Sequence, residues 1–487
     1  MSSQLKRLFK GTAIYGLGQV LNRSINLILL PVFTAYLAPR DFGVFAILTV
    51  ISGLLTCMFS LGIGVSIGIY YYERDGVEHR NKTIWMGTFI LVLSAVLLVS
   101  MGLPLSNLIS SVALGSIEYR YLVVLALIST GIAIVYQPSM LYLQYEERAK
   151  LFVIMSTGLT IVYGTLCILF VAFLKRGVQG LMEAGILFQL IASLAYFSIL
   201  IWSSKPSWDF TLAKKLIRVG APYLIGNLSF FFIQYVDRYM LELYSGLEIV
   251  GIYSVGYNIG MAIMLLVFAF SFAWTPYFNS FYQNQSEVKE LFGKVFTYYI
   301  MGTGFLCLCM FLFAKLIVSL MSATAYYKSY IVVGIVAFSQ LIYGCYLIFL
   351  PGLYYAKKTG KVNLILFITC IINIVLNTIL IPKWDMLGAA LATVVSFVGM
   401  ASMTHFTAKR YLIVRYDWSR VLRYLIVFGL AATTSFVYAG LDLIGQIFKA
   451  TITLALFAYL NYFLLNEKDR NYLKQMWDNI PALKKMT

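Results

Sequence analysis

Long apolar runs separated by short basic clusters set the pattern of this chain. Crossing a hydrocarbon core of about 30 Å at 1.5 Å per residue takes about 20 mostly apolar residues. On that measure the sequence predicts about 14 transmembrane helices, over residues 11–38, 42–70, 84–113, 121–145, 151–174, 178–203, 216–244, 248–282, 292–320, 328–356, 361–381, 386–410, 420–440 and 443–465. So few residues separate spans 1 and 2, 7 and 8, 11 and 12, and 13 and 14 that each pair is expected to be a tight helical hairpin. The expected fold is an all-α integral membrane protein.

The start of the chain returns in its middle. Adding 208 to a position near the N-terminus maps Ala13 onto Ala221, Tyr15 onto Tyr223, Gly18 onto Gly226, Tyr36 onto Tyr244 and Gly43 onto Gly251, with Phe45 meeting Tyr253. Spans 1 to 6 and 7 to 12 then form two halves. Six is even, so both halves enter from the same side, as parallel repeats related by an axis along the membrane normal with a central cavity between two six-helix lobes. The corresponding domains are 1–210, 211–412 and a remainder, 413–487, that holds spans 13 and 14 as a C-terminal hairpin and a basic tail. In that tail Leu473, Met476, Trp477 and Ile480 fall at i, i+3, i+4 and i+7, which predicts an amphipathic helix lying in the interface.

Composition agrees with a membrane chain. Hydrophobic residues make up 61% and charged residues 12%, against roughly 45–50% and 25% in soluble proteins. The net charge of +17 would suggest nucleic acid in a soluble chain, but here Lys and Arg cluster between apolar runs, and nucleic acid is not an expected partner. If the N-terminus is cytoplasmic, 27 of the 37 Lys and Arg lie on the inner side and 7 on the outer, an imbalance that places both termini in the cytoplasm. Lys6, Arg7 and Lys10 resemble the start of a signal peptide, yet the run after them contains Arg23 and lacks an A-x-A cleavage pattern, so it is expected to stay as helix 1. The six cysteines lie in apolar segments with no CxxC, and no metal site, disulfide or cofactor is expected. His79 and His405 sit at helix ends, and no nucleophile or acid–base pair emerges, which argues against an enzyme.

Charges inside the spans carry the candidate chemistry, since each costs about 2.5–3.5 kcal/mol at a helix centre. Arg23 lies roughly 18 Å into helix 1, too deep to reach water along its own side chain. It reads as a functional cation facing a cavity, or as one partner of a structural ion pair. Asp237 and Arg238 stand about 10 Å from the outer end of helix 7. As i and i+1 neighbours they point about 100° apart and are expected not to pair with one another. Asn22, Asn26, Asn227 and Gln234 are candidates to line a hydrophilic cavity, with interhelical hydrogen bonding as the equal alternative. Pro276 is expected to break or bend span 8, as a hinge. Lys315 and Glu183 read as interfacial.

The chain resembles polysaccharide export proteins of the multidrug/oligosaccharidyl-lipid/polysaccharide (MOP) exporter superfamily, which includes O-antigen flippases. The likeness is carried by Tyr15 and Gly18 followed by Pro31 and Phe42-Gly43-Val44-Phe45, by Asp237-Arg238-Tyr239-Met240-Leu241 with Gly251-Ile252-Tyr253-Ser254-Val255, by Trp274-Thr275-Pro276, and by Asn373-Ile374-Val375-Leu376-Asn377 with Ile381-Pro382 and Gly388-Ala389-Ala390-Leu391-Ala392-Thr393. It implies a V-shaped pair of lobes and transport, in a bacterial cytoplasmic membrane, of an undecaprenyl-diphosphate-linked oligosaccharide from the inner to the outer leaflet. In related flippases cationic residues of helices 1 and 7 face the cavity; Arg23 and Arg238 occupy comparable helices and are the candidate contacts for the anionic diphosphate, with Asp237, Asn22, Asn26, Asn227 and Gln234 as candidates for the cavity or for coupling to a proton or sodium ion. The resemblance also implies membrane lipids as surroundings and a polysaccharide polymerase and chain-length machinery as partners. Two alternatives remain at this stage: a cation-coupled drug antiporter of the same superfamily, and, with less support, a membrane glycan polymerase or ligase.

Overall fold

The computed structural model describes residues 24–25, 27–74, 76–282, 288–437 and 443–464. Among them there is no strand, and each apolar run is helical. The first half comprises α1 (Leu27–Tyr36), α2 (Pro39–Phe59), α3 (Ile63–Tyr71), α4 (Val77–Leu114), α5 (Arg120–Val135), α6 (Gln137–Tyr145), α7 (Ala149–Ile168) and α8 (Gly177–Ser203). The second comprises α9 (Phe210–Gly260), α10 (Ile263–Asn279), α11 (Val288–Leu312), α12 (Ala314–Met321), α13 (Tyr330–Phe349), α14 (Pro351–Tyr355) and α15 (Thr359–Ala408), followed by α16 (Trp418–Val437) and α17 (Leu443–Leu464). Nine helical stretches among the described residues are long and apolar enough to cross a bilayer, so this is a multi-pass membrane protein. The tail residues Leu473, Met476, Trp477 and Ile480 lie outside the described residues.

With 51 and 50 residues, α9 and α15 are each about 75 Å of helix, more than twice the hydrocarbon core. Each contains one residue off the helical backbone, Gly246 (φ 82°, ψ 169°) and Asp385 (φ 45°, ψ −125°). The chain folds back there. Tyr253 and Asp237, 16 residues apart, hydrogen-bond at 2.5 Å, and Tyr257 and Gln234, 23 apart, at 3.0 Å. A straight helix would hold these pairs about 24 and 35 Å apart. Asn373 Nδ2 likewise donates to Ser396 Oγ across α15 at 3.1 Å. The two hairpin tips touch, Ser245 Oγ donating to Asp385 Oδ1 at 2.5 Å.

Of the break or bend expected of span 8 at Pro276, there is no break. α10 runs through Pro276 as a helix, and the interruption falls upstream at Met261–Ala262. The proline removes an N–H only three residues before the helix ends, where little ladder remains to be disrupted. Packing also anchors that segment: Trp274 Nε1 donates to the Leu347 carbonyl at 3.2 Å, and the Trp274 ring packs against Phe270, Phe278 and Phe292.

The positions related by 208 meet in space. A Cβ on Gly43 would lie 1.9 Å from the Leu247 carbonyl oxygen, and one on Gly251 would lie 1.9 Å from that of Pro39. Pro39 and Leu247 are themselves 208 apart, so the crossing of α2 with the second arm of α9 is self-complementary, as at a two-fold axis. Toward the other end of α2, Gly62 approaches the Gly220 carbonyl, and Ser66 Oγ donates to Leu216 O at 2.7 Å. α2–α3 and α9 are thus in contact at both ends.

Candidate functional site

Between those two contacts lies a cavity of about 540 Å³, within the size range of ligand pockets. α1 contributes Leu27, Leu30 and Phe33; α2 contributes Phe42, Phe45 and Thr49; α7 contributes Tyr163. The α9 hairpin supplies most of the polar wall, with Tyr235 and Arg238 on one arm and Ser254, Tyr257 and Asn258 on the other. Among the described residues Arg238 is the only charged side chain lining it.

The hairpin makes this site possible. Folding at Gly246 brings Tyr253 and Tyr257, one helical turn apart, opposite Asp237 and Gln234. Arg238 is 5% exposed and Asp237 1%. Contrary to the expectation from i, i+1 geometry, the two pair: Arg238 Nη1 stands 3.1 Å from Asp237 Oδ1 and also donates to Gln234 O at 3.0 Å. The long arginine side chain bends back across its own helix, which a short side chain cannot do. Asp237 Oδ1 also accepts the Arg238 backbone N–H, and its Oδ2 accepts Tyr253 Oη–H. The guanidinium carbon lies 4.1, 5.1 and 5.9 Å from the ring centres of Tyr257, Tyr235 and Tyr253. A buried arginine is tolerated here because a carboxylate, a carbonyl and three aromatic rings replace water.

Both side-chain hydrogen bonds of Arg238 use Nη1. The Tyr257 hydroxyl is a further side-chain partner of the guanidinium, and with five N–H donors in the fork that leaves donors to spare. Beside it Ser254, 2% exposed, has a buried hydroxyl without a partner. A cation with spare donors next to an unsatisfied hydroxyl suits an oxyanion or a polyol.

The other sequence candidates are dispersed. Gln234 is buried and accepts Tyr257 Oη–H through Oε1, behind the cavity wall. Asn227 is exposed and does not line the cavity. Pro276 lies on α10 outside the lining. Arg23, Asn22 and Asn26 lie outside the described residues. Glu183 pairs with Arg176 at 2.8 Å, and the Lys315 ammonium sits 5.0 Å from the Tyr330 ring centre. Among the described residues no cluster of His, Cys, Asp and Glu is placed to hold a metal. Tyr235, Ser254, Tyr257 and Asn258 were missed by sequence reasoning. Their signal was positional: Tyr257 and Gln234 are equidistant from the tight turn near Gly246 to within a residue.

The fold is shared with solved transporters. The structure of the lipid II flippase MurJ in an inward closed conformation aligns with a TM-score of 0.72 at 14% identity, covering 92% of this chain and 98% of that one. An inward-facing multidrug resistance MATE family transporter of the MOP superfamily aligns at 0.69 and 15% identity, covering 82% and 97%. A MOP superfamily transporter from Pyrococcus furiosus aligns at 0.63 and 15% identity, covering 84% and 98%. No curated protein sequence matches the chain. The sequence model described as polysaccharide biosynthesis protein matches residues 8–282. With more than half of its length matched and its helices arranged as in the MOP transporters, the chain belongs to the polysaccharide biosynthesis protein family.

Proposed function

We propose that this protein is a flippase that moves an undecaprenyl-diphosphate-linked oligosaccharide, such as a surface polysaccharide repeat unit, from the inner to the outer leaflet of a bacterial cytoplasmic membrane. In this reading the chain crosses the membrane fourteen times, as lobes 1–210 and 211–412 with a hairpin in 413–487, and both termini are cytoplasmic. The observation that carries it is the cavity's charge: among the described residues its one ionic lining group is the cation Arg238.

Arginine binds phosphate through charge-assisted, bidentate hydrogen bonds that gain strength where water is scarce. The diphosphate engages the free donors of Arg238, with Asp237 keeping the guanidinium in place before cargo arrives. Ser254, Asn258 and Tyr257 offer hydroxyl and amide groups to the glycan, while the polyprenyl chain stays in lipid. Arg23 precedes Leu27 by four residues and Leu30 by seven. That is the spacing of one helical face, and both leucines line the cavity, so Arg23 is proposed as a second anion contact. Moving negative charge toward a positive exterior is downhill by about 2.3 kcal/mol per charge per 100 mV. A drug antiporter carrying cations is served poorly by this cavity, because the buried carboxylate, Asp237, is already paired with Arg238.

The test is translocation of a fluorescent lipid-linked oligosaccharide in proteoliposomes, together with surface-glycan complementation. Arg23→Gln is expected to reach normal membrane levels and lose transport; Arg238→Gln, which leaves Asp237 without its cation, is expected to lose transport per molecule when compared at matched membrane levels, with Arg238→Lys intermediate because an ammonium cannot bind in bidentate fashion. Full activity of both Gln variants, or drug resistance in place of glycan export, overturns the proposal.

A further inference from the structure

The two halves carry the same turn with different charge. After α6, Glu147 N–H bonds Gln144 O and Arg148 N–H bonds Leu143 O; after α14, Lys357 N–H bonds Tyr354 O and Lys358 N–H bonds Leu353 O. Both are Schellman turns, whose left-handed residue is usually glycine. Here it is Glu147 in one and Lys357 in the other, each with φ 54°. Around the first turn, acid and base balance. Glu146 accepts Tyr71 Oη–H and lies 3.9 Å from Arg80.

The second turn has no acid. The α15 hairpin returns its last turn beside its first, Lys361 Nζ donating to Tyr411 Oη at 2.8 Å. Lys357, Lys358, Lys361, Lys409 and Arg410 therefore share one patch, and none is paired with a carboxylate among the described residues. The hydrogen bond from Lys361, and after it the charges of Lys361, Lys358 and Arg410, hold the exposed Tyr411 hydroxyl below the ordinary tyrosine value. What sets this patch apart from the matching turn is the lack of a carboxylate: the first turn carries Glu146 and Glu147, the second none.

We propose that this patch binds the phosphate of a membrane lipid. The surroundings favour a lipid over a soluble acidic partner. From Lys361, the positions three, seven, ten and fourteen residues on are Leu364, Ile368, Ile371 and Val375, all exposed and on the same helix face. An acyl chain lies along that stripe while the head group meets the lysines. The site rests on the turn and the patch alone, so it stands or falls independently of the cargo of the cavity.

The experiment measures binding of fluorescent phosphatidylglycerol, undecaprenyl phosphate and zwitterionic phosphatidylcholine to the purified full chain in detergent. The K357Q/K358Q/K361Q variant is expected to weaken binding of the anionic lipids about tenfold or more, given the contribution of each basic residue at a membrane surface. K357R/K358R/K361R retains binding, and R148Q at the matching turn changes nothing. A loss confined to undecaprenyl phosphate identifies the carrier lipid as the ligand, and a loss confined to phosphatidylglycerol identifies a bilayer lipid. Unchanged anionic-lipid binding in the Gln variant with an unchanged melting temperature overturns the proposal. So does an equal loss in R148Q, or a Gln variant that loses only binding of a poly-glutamate peptide.

Discussion

Replacing Gly251 by Ala would place a Cβ 1.9 Å from Pro39 O and 3.0 Å from Gly43 N, where ordinary contact begins at 3.4 Å. Both obstacles are backbone atoms, so no side chain can swing aside and α2 must withdraw from α9 by about 1.5 Å. Overpacking of this kind costs about 1–3 kcal/mol, equivalent to a shift of about 5- to 150-fold toward helices that no longer touch. Gly43→Ala meets the Leu247 carbonyl in the same way. Because the two contacts belong to one self-complementary crossing, the double variant is expected to cost clearly less than the sum of the singles. The second methyl enters a gap that the first has opened. The assay is labelling of Thr49→Cys, on the cavity wall, by a membrane-impermeant maleimide in a chain lacking the six native cysteines. Labelling from the side of Pro39 should rise about fivefold or more in Gly251→Ala. Gly302→Ala, where a Cβ meets nothing within 4 Å, is the control and should leave labelling unchanged. Unaltered labelling and melting temperature in Gly251→Ala, or strict additivity of the pair, would refute the two-fold crossing.

Asp237→Asn leaves a buried guanidinium without its carboxylate and should destabilise by about 3–5 kcal/mol. Heat inactivation in detergent should show most of that loss recovered in Asp237→Asn with Arg238→Gln, and a single-variant loss below about 1 kcal/mol would contradict the buried pair. Tyr257→Phe removes the bond to Gln234 Oε1 for about 1 kcal/mol, whereas Tyr257→Leu also removes the ring over Arg238 and should cost about 0.5–2 kcal/mol more. The same melting measurements check the order Phe above Leu. Pro276→Ala should keep transport within about twofold, because α10 does not break at that residue and gains a helical N–H. A tenfold loss would show the ring to be a hinge after all.

Much of this was legible in the chain. Apolar run lengths marked the membrane helices, because hydrocarbon thickness imposes one length on each crossing whatever packs beside it. The near absence of residues between spans 7 and 8 and between spans 11 and 12 announced the hairpins at Gly246 and Asp385. Asp237 and Arg238 stood out because charge in an apolar run must be explained. Of the break or bend read from Pro276, a break is absent because a proline near a helix end forfeits little, while the interruption at Met261–Ala262 carries no proline.

The sequence by itself determined which residues had to leave water and which of them bore charge, since those follow from local hydropathy and from the bilayer. Only the tertiary structure decided who would meet them. The pairing of Arg238 with Asp237, the three tyrosine rings around the guanidinium and the free hydroxyl of Ser254 all depend on the second arm of α9 lying antiparallel to the first. The close approach of Gly43 and Gly251 depends on two segments 208 residues apart packing backbone against backbone. Contacts between distant segments are set by the shape of the whole bundle, and no local property of either segment contains them.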